Sequence, residues 1–403
     1  MPVHFTTVWK VIFDCVARLF LARMLSLHDF QALAFMLYAH LHDYCLTYRP
    51  QLVSPCPRID LITQFTDFEC LEFFRFEKDD IPFLAQALGL PAAFRTPTGY
   101  VTTRVEALLM LLYRLSYSGT WGRARRHFGR SRSAMSEIVH YVLIFLRERW
   151  GHLLLLPPHY REPAVLRRHA DAVYAKGCPL SNVAVFIDAT IRRVCRPSVG
   201  QQAAYSGYRK YHAVKYQNLV APDGLIVHQF GPVEGRRSDP WIVRASHVIN
   251  LMVHAFRFPI TAATIAQHTP AAPGAPAAHI AEAGGAFIQY CAFGDKGYFT
   301  NPTGALIAAY RRPPEGVPLT PAEQAFNTAM AGGRIGAEWL FLKTVQKNAY
   351  LDNYKQMKVF GTPVGLYYTA ATLLTNVHTC MYGSETSSFF KIQPPTLDEY
   401  LVM

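Results

Sequence analysis

The sequence lacks the cysteine patterns of zinc fingers and disulfide scaffolds. Its eight cysteines are scattered along 403 residues, without a C-x-x-C pair and without histidines at zinc-finger spacing. This predicts free thiols in a reducing compartment. The sequence also lacks an apolar run of the roughly 18 residues that a membrane span needs. Charged residues interrupt the apolar stretch VWKVIFDCVARLFLARML near the N-terminus, which argues against a secretory signal peptide. We therefore expect an intracellular, soluble protein.

Acidic residues are few. The chain has 28 Asp and Glu against 40 Lys and Arg, which gives a net charge of +12. Such an excess favours a polyanionic partner, most simply nucleic acid, although a basic solvated surface with no partner remains open. The hydrophobic content of 51% is typical of a folded chain, and the length predicts two domains.

The chain changes character near residue 160. Residues 1–160 have apolar residues at helical spacing and predict a helical N-terminal domain. Residues 161–403 mix strand and helix patterns and predict an α/β domain. In that half, NVAVFID reads as a buried strand, and APDG (221–224) reads as the turn of a hairpin. An Ala/Pro-rich segment at about 260–286 predicts a surface insertion.

Two aspartates follow predicted buried strands. Asp188 stands where the apolar run of NVAVFID stops, and Asp295 comes directly after the short apolar strand FIQYCAF. Residues just beyond the carboxyl ends of strands line the crevice where α/β proteins bind ligands. If the two strands are parallel neighbours, we expect these carboxylates to lie side by side. Alone, each also fits a bland role, Asp188 as a helix cap and Asp295 as a turn residue.

A third acid, Glu338, lies in a predicted helix. Apolar residues follow it at i+3, i+4 and i+7, so we expect its side chain to face the protein interior. A pair with Arg334, four residues earlier, is the alternative. Three converging carboxylates would repel one another, and divalent cations such as Mg²⁺ would relieve that repulsion.

These stretches resemble the transposases of the PIF/Harbinger superfamily, known as DDE transposase family 4, and look closest to its fungal copies. The resemblance covers about residues 95–400 and rests on the segments FIDATIRRV, YCAFGDKGYFTNP, TPAEQAFNTAMAGGRIGAEWLF and LLTNVHTCMYGSETSSFF. It implies an α/β fold with an RNase H-like catalytic domain. It also implies three catalytic, metal-binding acids: Asp188 in FIDAT, Asp295 in GDKGY and Glu338 in AEW. Asp239 in GRRSD matches a recurrent family acid, which we interpret as an auxiliary metal ligand or a helix cap.

The resemblance implies a metal-dependent DNA transposase and endonuclease. Two Mg²⁺ or Mn²⁺ ions would support hydrolysis at the transposon ends and strand transfer into target DNA. The departures from the family pattern are mild: DAT replaces DGT, and RIGAEW replaces R-x-S-V-E-W, which could loosen the helix that carries Glu338. The alternative is a domesticated, catalytically silent DNA-binding or adaptor protein that kept the fold.

A basic helical segment precedes the catalytic acids. Residues 121–142 predict a helix at about 121–128, a short turn, and a second helix from about 133, within a helix-turn-helix-like segment at about 95–150. A basic helical hairpin that packs on the catalytic domain is the alternative. The predicted DNA contacts here are Arg123, Arg125, Arg126, Arg130 and Arg132. A second set near the acids comprises Arg192, Arg193, Arg209, Lys210, Arg236 and Arg237. Tyrosines interleave with the second set and could stack on unpaired bases or lie in the core.

The expected partners follow from the resemblance. They are double-stranded DNA, as transposon terminal inverted repeats and target site, a Myb-like accessory DNA-binding protein, and a second copy in a homo-oligomer. No membrane partner is expected. A DNA substrate also implies a nuclear location.

Overall fold

The computed structural model describes residues 61–261, 280–282, 286–313 and 317–403. The N-terminal apolar stretch and most of the Ala/Pro-rich segment lie outside these residues. No helix in the described part of the chain is long and apolar enough to cross a membrane.

Helices surround a central sheet in the described ranges. The helices are α1 (Leu61–Gln64), α2 (Asp67–Phe74), α3 (Asp80–Ala87), α4 (Arg104–Ser116), α5 (Trp121–Phe128), α6 (Arg132–Trp150), α7 (Pro163–Ala175), α8 (Gln201–Ala204), α9 (Asp239–Ala245), α10 (Val248–Ala255), α11 (Pro321–Lys347), α12 (Val364–Tyr382), α13 (Glu385–Phe390) and α14 (Leu397–Leu401). Short 3₁₀ turns cover Gly151–Leu154, Pro158–Arg161 and Ala349–Asp352. The strands are β1 (Ala93–Arg95), β2 (Val101–Thr103), β3 (Val183–Arg193), β4 (Tyr205–Ser206), β5 (Tyr211–Val220), β6 (Ile226–Glu234), β7 (Arg257–Pro259), β8 (Ile280–Glu282), β9 (Ala286–Gln289), β10 (Cys291–Gly294) and β11 (Leu306–Ala308).

The central sheet is mixed. Its strand order is β11-β10-β3-β5-β4, and β6 also pairs with β5. β10 is parallel to both β3 and β11, whereas β5 is antiparallel to β3, β4 and β6. The β5–β6 hairpin confirms the turn predicted at APDG. A mixed sheet with helices around it confirms the α/β class, and the RNase H-like assignment stays a prediction.

The strand that carries Asp188 is longer than predicted. Its first five residues, Val183–Ile187, are all buried, and this explains the unbroken apolar run. β3 nevertheless continues to Arg193, because β5 pairs with it as far as the pair Arg193–Ala213. On the other side, β10 ends at Gly294, opposite Ile187. Asp188 therefore lies inside its own strand, at the point where the neighbouring strand has ended.

The helical part of the chain and the sheet share one hydrophobic core. α6 packs against α4 on one side and α12 on the other. Met135, Ile138 and Val142 on α6 are completely buried. Among the described residues, no break in this core marks the boundary predicted near residue 160, which stays a prediction.

The two helices predicted around residues 121–142 lie where expected. α5 ends at Gly129, whose φ of 61° is the left-handed conformation that glycine adopts at helix ends. Ser131 begins α6, since its hydroxyl accepts a hydrogen bond from the amide of Ala134 at 3.2 Å. Their role as a DNA-binding helix-turn-helix stays a prediction.

The glycine of RIGAEW, Gly336, and the preceding Gly333 do not interrupt the helix that carries Glu338. α11 is continuous over 27 residues and begins with a capping box between Thr320 and Glu323. A methyl group on Gly336 would lie 2.8 Å from the Phe390 ring, so glycine is needed for α13 to pack closely there. Gly333 similarly leaves room for the thiol of Cys178. These glycines allow close packing against neighbouring side chains.

Candidate active site

Strand pairing brings Asp188 and Asp295 together. The parallel register aligns Gly294 with Ile187, so the next residue of each strand is an aspartate. Asp188 retains 23% of its side-chain exposure, and Asp295 is partly buried. This confirms that the two strands are parallel neighbours. Asp188 and Asp295 therefore lie side by side where β10 ends, and a divalent cation bound there would contact both carboxylates.

Asp239 joins these two acids from the start of α9. An ideal Cβ on Gly297 would lie 2.7 Å from Asp295 Oδ1 and 3.0 Å from Asp239 Oδ2, so both carboxylates border the same small space. Asp295 is held there by the amide of Gly297, which donates to Oδ1 at 2.7 Å. On its other side, Asp239 accepts a hydrogen bond from Lys215 Nζ at 3.1 Å. Ser238 occupies the N-cap position, so Asp239 lies in the first turn of the helix and faces the acids.

Glu338 does not face the interior, and that prediction was wrong. Its side chain is 49% exposed and pairs with Arg334 on the preceding turn of α11. Of the apolar neighbours that suggested an inward face, Phe341 is buried but Leu342 is 53% exposed. The alternative pairing at i−4 is therefore the one observed.

Arg334 contacts two of the predicted catalytic acids at once. One guanidinium nitrogen donates to Glu338, and the other donates to Asp188 Oδ2 at 3.4 Å. Arg334 thus provides a positive charge where two predicted metal ligands would meet. The sequence indicated only its pairing with Glu338.

Burial and like charges act on Asp188. Burial, reinforced by the nearby Asp295 and Asp239, raises the pKa of this carboxyl to about 7, against the lowering effects of the amide of Ala189 and the charge of Arg334. The amide of Ala189 donates to Asp188 Oδ1 at 2.7 Å. The amide of Ala189 and the charge of Arg334 therefore only partly offset the burial and repulsion that disfavour the ionised form of Asp188.

Tyr298 lies beside the same acids. Its side chain is 1% exposed, and its hydroxyl has no hydrogen-bond partner in the described part of the chain. Burial, reinforced by the charges of Asp188, Asp239 and Asp295, raises its pKa well above the usual value. The sequence did not single out Tyr298, although it lies in the GDKGY motif.

The carboxylate oxygens of these acids suit hard divalent cations, although the side chains are not arranged around a common point. Three carboxylates contribute oxygen atoms, the ligands that Mg²⁺ and Mn²⁺ prefer. Within the described ranges, however, no three His, Cys, Asp or Glu side chains are arranged to hold an ion. Arg334 binds the carboxylate of Glu338 as well as that of Asp188, so a cation of the chain itself lies between these two acids. The residue types fit a cation site, and binding an ion there requires the acidic side chains to move closer together.

A comparison with family models identifies the segment that holds these acids. Residues 187–376 match the DDE superfamily endonucleases. The DDE segment, as we call residues 187–376, contains Asp188, Asp239, Asp295 and Glu338. Comparisons with curated proteins and with solved structures gave no match. The match supports the DDE superfamily, while the PIF/Harbinger subtype and the fungal-like origin stay predictions.

Four of the five arginines predicted for the helix pair are exposed: Arg123, Arg125, Arg126 and Arg132. Arg130 is not. Its Nε donates to Glu106 Oε1 at 2.5 Å and its Nη2 to Glu106 Oε2 at 2.7 Å, and its side chain is 11% exposed. Arg130 therefore has a structural role in this pair, which does not favour a DNA contact, and its assignment as one stays a prediction.

The basic residues of the DDE segment divide in the same way. Arg193, Arg209 and Lys210 are exposed, and Arg192 pairs with Asp352 at 3.0 Å. Arg236 and Arg237 instead bind the buried carboxylate of Glu234, at 3.2 and 2.5 Å. Arg237 is only 4% exposed and lies over the Trp241 ring, which does not favour a DNA contact, and its assignment as one stays a prediction. Glu234, three residues before Arg237 in the sequence, was the signal that could have predicted this ion pair.

Proposed function

We propose that the chain is a metal-dependent DNA endonuclease of the transposase type. It would hydrolyse phosphodiester bonds at the ends of a transposon and join the freed 3′ ends to target DNA. The observation that carries this proposal is the alignment of Asp188 and Asp295 on adjacent parallel strands, with Asp239 beside them. The similarity of this segment to DDE superfamily endonucleases supports the same reaction class.

Asp188, Asp295 and Glu338 would hold two Mg²⁺ or Mn²⁺ ions, with Asp239 as an auxiliary ligand. When bound, such ions polarise a phosphate oxygen and activate water for an in-line displacement. The residues of the chain hold the acids in place. Strand register fixes Asp188 and Asp295, Lys215 restrains Asp239, and the amide of Gly297 orients Asp295. No covalent protein intermediate is required, so no nucleophilic side chain is assigned.

Glu338 has to leave Arg334 before it can act as a ligand. Arg334 now neutralises part of the charge on both Asp188 and Glu338. We infer that this internal guanidinium stabilises the two acids by offsetting part of their negative charge. When Arg334 is released, its positive charge becomes available to a DNA phosphate.

The exposed arginines of α5 and α6 would bind the terminal repeats. Arg123, Arg125, Arg126 and Arg132 extend into solvent and suit contacts to phosphates, which position DNA without reading its sequence. A Myb-like accessory protein, a homo-oligomer and a nuclear location are further parts of this proposal. They rest on the resemblance of the sequence to PIF/Harbinger transposases.

The test is nicking of a plasmid that carries the terminal repeats flanking the gene. The wild type should nick it with Mg²⁺ or Mn²⁺ and not with EDTA. Asp188→Asn, Asp295→Asn and Glu338→Gln should each lower the rate at least about 100-fold while binding the same DNA in Ca²⁺. Asp239→Asn should have a smaller effect. Cleavage that survives any of the first three substitutions would refute the roles given to these acids.

A catalytically silent DNA-binding protein is the second candidate. The observation that favours it is the pairing of Arg334 with Glu338, which leaves the described acids short of an assembled cation site. This candidate predicts DNA binding through the exposed arginines and no nicking with any divalent ion. Nicking that is lost in Asp188→Asn would exclude it.

A further inference from the structure

A tight turn between β4 and β5 extends a tyrosine into solvent. This β4–β5 tip comprises residues 205–211. The amide of Lys210 donates to the carbonyl of Ser206 at 2.7 Å, and the amide of Arg209 donates to the Ser206 hydroxyl at 3.3 Å. These bonds fix the backbone, so the side chains at the tip point outward from a defined loop.

Tyr208 at the tip is 87% exposed, more than any other large hydrophobic residue in the described ranges. Its one ring interaction within those ranges is with the guanidinium of Arg209, 5.2 Å from the ring centroid. Single exposed aromatic residues are common and need no explanation by themselves. The surroundings of Tyr208 give this one its significance.

The chain around the tip is basic without interruption. Between Asp188 and Asp223 it has no acidic residue and six Lys and Arg. Arg209, Lys210, Arg193 and Arg196 of this stretch are exposed. The guanidinium of Arg193 stacks on the Tyr354 ring, with 3.8 Å between its central carbon and the ring centroid. The tip therefore combines a free aromatic face with positive charge, which is the combination that binds nucleic-acid strands.

The tip belongs to the same strand system as the acids. Asn218 of β5 lies opposite Asp188 of β3, and Tyr211 begins the same strand β5 at the tip. The seven residue steps from Tyr211 to Asn218 span about 23 Å of extended strand. This corresponds to about seven nucleotides of DNA. One DNA molecule bound at the acids is long enough to reach the tip.

We propose that the β4–β5 tip is a DNA contact in which Tyr208 stacks on an unpaired base. Arg209 and Lys210 hold the phosphates on either side of that base. A paired base in a duplex already has neighbours on both faces, so the ring of Tyr208 can stack only where a base is unpaired or displaced. The inference rests on the proposed function for the choice of DNA as partner, and it does not require that the protein cut DNA.

The experiment uses the full chain in EDTA, so that cleavage plays no part. The probes are two 30-base-pair duplexes of the same sequence, one fully paired and one with a single bulged 2-aminopurine. The wild type should bind the bulged duplex at least about fivefold more tightly and quench its 2-aminopurine fluorescence. Tyr208→Ala should lose both the preference and the quenching, and Tyr208→Trp should keep both.

The matched control is Phe68→Ala. Phe68 is 74% exposed but lies in the acidic first turn of α2, so its loss should leave binding and quenching unchanged. If Tyr208→Ala binds the bulged duplex and quenches like the wild type, the inference is overturned even when the protein nicks DNA. Conversely, quenching that depends on Tyr208 in a protein without nuclease activity would support the tip contact and leave only the proposed reaction refuted.

Discussion

Arg334 donates a hydrogen bond to Asp188 at 3.4 Å, across 146 residues of sequence. The two residues belong to different elements, since Asp188 lies in β3 and Arg334 in α11. α11 packs against β3, which brings the guanidinium over the acids. The same guanidinium also binds Glu338. A cation that is part of the chain thus contacts two of the residues that we assign to divalent cations.

Removal of this internal cation should strengthen metal binding. In Arg334→Gln, Asp188 and Glu338 lose their positive partner, so we expect the chain without DNA to bind Mn²⁺ about tenfold more tightly, as measured by calorimetry. Lys78→Gln removes a charge from a surface pair with Asp67 and should leave the affinity unchanged. Unchanged or weaker Mn²⁺ binding by Arg334→Gln would show that the arginine does not compete with the metal.

A methyl group at residue 297 should disturb the carboxylates directly. The added Cβ of Gly297→Ala would lie 2.7 Å from Asp295 Oδ1 and 3.0 Å from Asp239 Oδ2, and one of them has to move. We expect Mn²⁺ affinity to fall about tenfold with little change in thermal stability. Gly332→Ala is the control, because no described residue outside its own helical turn lies within 4 Å of the added Cβ. Equal affinities for the two variants would argue against a site beside Gly297.

Two neighbouring arginines should separate stability from DNA binding. Arg130→Gln leaves the buried Glu106 without its cationic partner, although the Thr102 hydroxyl still donates to it, so the free energy of unfolding should fall by about 3 kcal/mol in urea titrations. Arg126→Gln, at an exposed position, should change stability by less than about 0.5 kcal/mol. It should instead weaken DNA binding and lower the salt dependence by about one counterion. If Arg126→Gln bound DNA like the wild type at every salt concentration, α5 would have no part in the contact.

His228 should make the protein sensitive to acid. Burial lowers the pKa of this imidazole to about 4, so the folded state disfavours its charged form. The stability that depends on neutral His228 is present above pH 6.5 and is lost as the pH falls toward 4.

Between pH 7 and 4 the wild type should lose about 3 kcal/mol more than His228→Leu does, measured by urea unfolding at each pH. The exposed His254 provides the control, and His254→Leu should retain the pH dependence of the wild type. Parallel pH profiles for the wild type and His228→Leu would show that His228 does not titrate with unfolding.

Local sequence patterns predicted helices, strands and turns correctly where the structure depends on residues close together in the chain. The apolar run before Asp188, the APDG turn and the capping box at Thr320 each depend on neighbours within a few residues. Glu338 shows where this reasoning fails. Its apolar neighbours indicated an inward face, but a 27-residue helix presents several faces to different surroundings. Which of them meets solvent depends on what packs against each turn.

The basic residues show the same division. The sequence predicted an excess of positive charge, and most of the arginines on α5 and α6 are exposed as expected. It did not reveal that Arg130 binds Glu106, because no short-range spacing relates these two residues. Arg237 was a different case, since Glu234 three residues earlier offered the partner.

The sequence by itself determined the α/β class, the positions of the acids at the ends of apolar runs, and the basic charge. These depend on hydrophobic periodicity and composition, which are properties of short segments. Only the tertiary structure decided that Asp239 lies beside Asp295 and that Arg334 bridges Asp188 and Glu338. Such contacts join segments far apart in the chain, and their distances depend on strand register and helix packing. We therefore expect a single substitution at Gly297 or Arg334 to alter the site without changing the fold.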